Sequence, residues 1–223
     1  MIYKNIEIHN AAQLDINESG AAWYRLPKIV CDMLELDKEK KVCTNSTGVE
    51  LRFKITGESA TIKMECIDDE KAGVVSSFHI FRGGIQGGWQ DVELNCYVPA
   101  KPHLFEIKKP ENMESLKKIS AEINSPWSPE VVRIIFDRGH YRIIDVMGDV
   151  AAPEANDVPK DTLLCYGSSI THGSNALDQS HTWASVLAHN MKMDCRNLGM
   201  AGTCAMEPEV ADYIADEGEH GRW

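Results

Sequence analysis

The chain has 223 residues, a hydrophobic share of 43% and a formal net charge of −11. That length allows one or two domains with an ample core. The acidic balance, with no basic tract to offset it, excludes nucleic acid and anionic membrane surfaces as partners, and no apolar stretch is long enough to span a bilayer.

Met1 to Glu7 has neither an apolar h-region nor a cleavage site. Seven cysteines, odd in number and without C-x-x-C spacing, point to a reduced cytoplasm. No His/Cys/Asp cluster has metal-ligand spacing, so neither metal nor cofactor is expected.

The first predicted element is a short helix from Pro27 to Leu36, with Pro27 in its first turn. Asn45-Ser46-Thr47 spells a glycosylation acceptor, which carries no weight without a secretion signal. Alternation then predicts strands at Val49–Ile55 and Ala60–Cys66, separated by a Gly-Glu-Ser turn. Phe78–Phe81 leads into a tight turn at Arg82-Gly83-Gly84. Further strands are expected at Val92–Val98, Leu104–Ile107, Val131–Phe136 and Tyr141–Val146. So many short strands with turn signals between them predict an all-β sandwich, jelly-roll-like, over 1–152.

Residues 153–160 carry two prolines and several charges without periodicity, and read as a linker. Beyond it the period changes. Leu163–Tyr166 is an apolar strand. Trp183, Val186, Leu187, Asn190 and Met191 form one helix face, which Ser180 or Thr182 could cap. Met193–Leu198 is a weaker strand, and Glu207–Asp216 a helix with Val210, Tyr213 and Ile214 on one side. This βαβα order over 161–223 predicts a parallel sheet, α/β and flavodoxin-like. So small an α/β portion is expected to be less protected than the β half.

The chemistry is expected where the first of these strands ends. Gly167 lets the chain turn sharply, so that the serine pair Ser168-Ser169 is presented at the strand's carboxyl end. A serine needs a base, and its oxyanion needs N–H donors. Gly-x-Ser-x-Gly is not met, because Thr171 stands two residues after Ser169, and no P-loop or dinucleotide fingerprint is present.

Gly167-Ser168-Ser169-Ile170-Thr171 resembles the first block of the SGNH, or GDSL, hydrolases, with Ser168 in place of the usual aspartate. Asn197-Leu198-Gly199-Met200-Ala201-Gly202 resembles their second block. The resemblance implies that Ser169 is the nucleophile and that the backbone N–H groups of Ser169 and Gly202 line the oxyanion hole. His172 is a candidate pocket residue. Trp23–Pro27 and Asn45–Phe53 are similar to the N-terminal β domain of one subgroup, which implies a small-molecule or carbohydrate ester as substrate, for example an acetylated sugar. Two further blocks, an oxyanion asparagine and a final Asp-x-x-His, are not recognisable, so the chain is expected to be a fragment with little activity. Asp178-Gln179-Ser180-His181 spells Asp-x-x-His but lies too early in the chain, and His220 falls in a polar tail. The other reading is a β-sandwich binding module that carries a non-catalytic hydrolase remnant.

Overall fold

The computed structural model describes residues 1–68, 76–87 and 97–219. Most of the strand expected at Val92–Val98, together with His220, lies outside these residues. The N-terminal part opens with β1 (Ile2–Tyr3), β2 (Ile6–His9), β3 (Gln13–Asn17) and β4 (Gly20–Tyr24). Two helices follow, α1 (Lys28–Met33) and α2 (Asp37–Thr44). Pro27 sits at the N-cap rather than inside the first turn, the expected helix ends early at Met33, and α2 follows outside the expected range. The break lies at Leu34–Leu36, where the Leu36 N–H is held by the Glu39 carboxylate.

The longest strand is β5 (Glu50–Cys66), followed by β6 (Phe78–Arg82), β7 (Ile85–Gln86), β8 (His103–Lys108), α3 (Met113–Glu122), β9 (Val131–Phe136) and β10 (Tyr141–Ala151). The turn expected at Gly57-Glu58-Ser59 is absent, and the strand runs straight through it. Its partner absorbs the irregularity: the register jumps from Gly148↔Ala60 to Val150↔Ile55. Here Gly148 adopts φ +95°, which a glycine tolerates at little cost. Strand β5 is the hub of the sheet. Its first half pairs with β2 and β9, its second half with β8, and β10 follows nearly its whole length. Every pairing among β1 to β10 is antiparallel. Alternate residues of β5, among them Leu51, Phe53, Ile62 and Met64, enter one core with Trp23, Phe78, Phe136 and Tyr141.

Beyond the proline-containing segment come β11 (Thr162–Gly167), α4 (Ser169–His172), a single 3-10 turn (Gln179–His181), α5 (Trp183–Met191), β12 (Asp194–Gly199) and α6 (Pro208–Glu219). Strands β11 and β12 are parallel and in register from Thr162↔Asp194 to Gly167↔Gly199. Thr182 caps α5 by accepting from the Ser185 N–H. The face expected to be buried is not. Trp183 is 45% exposed and Leu187 40%, while Ala184 and Ala188 are buried. The helix rests its small residues on the strands and turns its large apolar residues outward.

The two halves share a core and a buried polar seam. Leu26, Cys31, Leu34 and Val42 pack with Leu198, Met200, Val210 and Tyr213. Arg52 of β5 donates twice to Asp194 of β12, at 2.7 Å each, and once to Glu50 at 2.8 Å. Arg133 grips the other side of Glu50, and Trp127 lies against both guanidinium groups. Burial alone would raise the Asp194 and Glu50 carboxyls, but their arginine partners outweigh it and hold both below the ordinary carboxylate range. Side chains that are costly to separate thus join the second half to the sheet.

Asp194→Ala should cost about 3 kcal/mol in urea unfolding at neutral pH, because Arg52 loses two of its buried acceptors. Since Asp194 is depressed in the fold, its contribution is fully present above the unfolded carboxylate range and lost as pH falls through the folded value. The deficit of the variant should therefore be constant above about pH 4 and shrink below it. A deficit that is flat down to acid unfolding would show that Asp194 is not held as an anion.

Candidate functional site

Ser169 is the first residue of α4, directly after the turn that ends β11. Ser168 is the N-cap and is exposed, while Ser169 is partly buried. The helix is one turn long. Gly173 ends it at φ +99°, its N–H shared by the carbonyls of Ile170 and Ser169.

Two glycines fix where this turn lies. A side chain at Gly167 would collide with Oγ1 of Thr171. A Cβ at Gly199 would strike the His172 backbone nitrogen and lie 2.5 Å from its Cα. The α4 backbone thus crosses β12 in direct contact. Asn197 locks the crossing: its amide donates to the Thr171 carbonyl at 2.7 Å, and its side-chain oxygen accepts from the Gly199 N–H at 2.8 Å. The Asn197 carbonyl accepts in turn from Asn10 and from Arg25. Arg25 is buried and lowered to about 10 by burial, so it remains a cation at neutral pH.

Gly202 lies in the turn after β12, at φ +70°. Neither its N–H nor that of Ser169 donates to any acceptor among the described residues. A Cβ at Gly202 would meet Nζ of Lys38 at 2.5 Å, so the ammonium of an α2 residue lies over this glycine.

His172 closes the inner side of α4. It is 1% exposed, and its Nε2 faces Thr47 Oγ1 at 3.0 Å and the Asn45 amide at 3.5 Å. Both partners donate, so the neutral ring carries its proton on Nδ1, which has no partner. Burial, reinforced by the charges of Arg25 and Arg138, lowers its pKa to about 2. The Asn45-Ser46-Thr47 sequence is thus a buried turn between the halves, where Ser46 also accepts from Trp23. His172 lines a cavity of about 490 Å³ together with Lys38, Arg138, Gln179 and Ala201. Nothing in the sequence distinguishes Lys38 or Arg138 from solvated charges. They reach the site only because α2 and the β9–β10 connection pack there.

Asp178 and His181 do pair: Nδ1 lies 2.9 Å from both carboxylate oxygens. Asp178 also accepts from the Ser180 and His181 N–H groups and so caps the 3-10 turn. His181 opens toward a second cavity, of about 250 Å³, beside Trp127 and Arg133. Among the described residues no hydrogen bond joins Ser169 to a histidine, and no group of three or more His, Cys, Asp or Glu residues could hold a metal.

Residues 160–220 match the GDSL-like Lipase/Acylhydrolase family. No curated protein matches the chain. Among solved structures, the chain is similar to the salicylyl-acyltransferase SsfX3 from a tetracycline biosynthetic pathway, at 17% identity and a TM-score of 0.66. The match covers 96% of this chain and 58% of that one. A protein from Bacteroides ovatus ATCC 8483 described as a GDSL-like lipase matches at 17% identity and 0.57, over 95% of this chain and 60% of its own. A family two carbohydrate esterase from Cellvibrio japonicus matches at 12% identity and 0.51, over 90% and 51%. These identities carry the fold alone, and the chain spans about half to three fifths of the length of those proteins. The class to which residues 160–220 are similar is that of the GDSL-like lipases and acylhydrolases, and that match covers about a quarter of the chain.

Gly199→Ala should destabilise the chain by about 3 kcal/mol, because only backbone stands where its methyl would go. Gly202→Ala should cost about 1 kcal/mol, the strain of its positive φ, because the Lys38 side chain can swing away. Urea midpoints compare the two, and equal costs would contradict the backbone crossing. In histidine NMR, His172 should stay neutral from about pH 8 to pH 4. His79, raised by its hydrogen bond to Asp137, should take up its proton above the usual value near 6.5.

Proposed function

We propose that Ser169 is the nucleophile of a serine esterase or acyl-transfer enzyme of the SGNH type. The backbone N–H groups of Ser169 and Gly202 are its oxyanion donors. The observation that carries this reading is the pair of unpaired N–H groups on two turns that Gly199 and Asn197 hold together. Ser169 Oγ adds to the carbonyl carbon of an ester and loses its proton to a histidine base. The N–H groups meet the charge on the carbonyl oxygen. The alcohol departs with a proton, and the acyl group stays on Ser169 until water or another hydroxyl takes it. A small-molecule or carbohydrate ester is the proposed substrate. In support, similar folds include a carbohydrate esterase and an acyltransferase. Residues 1–152 would serve as a jelly-roll-like accessory domain and 161–223 as the nucleophile-bearing part of the hydrolase, with 153–160 between them.

A fluorophosphonate probe should label Ser169. Label that persists in Ser169→Ala and is lost in Ser168→Ala would move the nucleophile. No described histidine bonds Ser169, and loss of the histidine base of a serine triad costs about six orders of magnitude in rate. The 223-residue chain should therefore hydrolyse p-nitrophenyl acetate no faster than its Ser169→Ala variant. Robust turnover that His181→Ala abolishes would make the Asp178–His181 pair the catalytic base, and robust turnover that Ser169→Ala leaves unchanged would overturn the proposal.

A further inference from the structure

The cavity behind α4 has an electrostatic character opposite to that of the chain. The molecule carries a formal net charge of −11, yet Lys38, Lys41 and Arg138 all line this one cavity. Among the described residues Lys38 and Lys41 make no ion pair and no side-chain hydrogen bond. Arg138 is held by a neutral partner, donating to Ser174 Oγ at 2.8 Å. The two carboxylates that reach the cavity are already engaged. Asp137 accepts from Ser77, from the Gln179 N–H and from His79. Asp178 is taken by Ser180 and His181. Three cations therefore face this space without a carboxylate of their own.

The wall adds a second, independent observation. Among the described residues, seven buried polar side-chain atoms lack a hydrogen-bond partner, and two of them belong to residues lining this cavity: His172 Nδ1 and Gln179 Oε1. The first is a donor and the second an acceptor. Both residues are more than nine-tenths buried. An unpaired buried polar atom costs about 1–3 kcal/mol, which a ligand hydroxyl relieves because it both donates and accepts. The Gln179 amide donates to the His172 carbonyl at 3.2 Å, so turning its oxygen toward the cavity exchanges that bond for one to the ligand.

We propose that this cavity binds a hydroxylated carboxylate, its carboxylate held by Lys38, Lys41 and Arg138 and its hydroxyls by Gln179 and His172. Lys38 also lies over Gly202, so the cavity adjoins the proposed oxyanion turn. As the recognition end of an ester substrate it rests on the esterase reading. As a binding site it does not.

The test is calorimetric titration of the 223-residue chain with D-glucuronate, D-glucose and acetate. Glucuronate should bind at least about tenfold more tightly than either of the others, since each lacks one half of the recognised chemistry. Lys38→Gln combined with Lys41→Gln, both surface changes, should weaken glucuronate by about tenfold or more, while thermal unfolding of the unliganded protein stays unchanged. The His172 Nδ1–H resonance should shift on glucuronate addition. Ser169→Ala should bind as the parent does, and fluorophosphonate labelling of Ser169 reads the esterase proposal separately: binding without labelling removes only the latter, and labelling without binding only the former. Equal binding of glucose would remove the carboxylate pocket, equal binding of acetate the hydroxyl contacts, and an unaffected double variant would overturn the site.

Discussion

The contact on which the site depends is the crossing of α4 over β12 at Gly199. No side chain can stand between the two backbones there, and the distance is set by main-chain atoms that cannot yield. Asn197 then fixes the rotation, because its single amide binds the end of α4 and the N–H of Gly199 at once. From this crossing follow the place of Ser169 at the start of the turn, that of Gly202 beyond the strand, and the burial of His172 between them. A histidine forced so deep among Arg25 and Arg138 stays neutral. It therefore acts as a hydrogen-bonding wall and not as a proton carrier.

The crossing is itself anchored from the other half of the chain. Asn10, Arg25 and Thr47 reach Asn197 and His172, and Arg52 reaches Asp194 at the opposite end of the same strand. Strand β12 is thus held at both ends by the β-rich half. Isolated two-stranded parallel sheets lack the coverage that such strands require, and here part of that coverage comes from α1, α2 and the polar seam. The N-terminal half is then structural support for the turn that carries Ser169.

Much of this was legible in the sequence, and the failures have physical causes. The glycine and asparagine positions around Ser169 stand out because the constraint acts on the backbone, where only a few residue types fit. Strand β12 and helix α6 follow their periodicity. Helix α5 misleads because periodicity reports an apolar face without saying which way it points. Ala184 and Ala188 are the buried positions, small enough for close approach, while Trp183 and Leu187 lie outside. The Gly-Glu-Ser segment reads as a turn from composition, yet β8 pairs with its end at Ser59↔Lys108 and the strand stays extended. Tertiary pairing overrides local preference there.

Charge was the least legible quantity. A formal total of −11 describes the solvated surface and says little about single locations. Glu50 and Asp194 spend their charge on buried arginines, and Asp137 and Asp178 spend theirs on local hydrogen bonds. Beside the turn that carries Ser169 the cations outnumber the carboxylates: Lys38, Lys41 and Arg138 come from two different segments and converge only in three dimensions, with Asp137 and Asp178 on the same cavity. The field at Ser169 is therefore a product of the docking of α2 against the segment that follows β12. Any change that loosens α2 should alter that field before it alters the position of the serine, because Gly199 and Asn197 hold the serine by contacts in which α2 has no part.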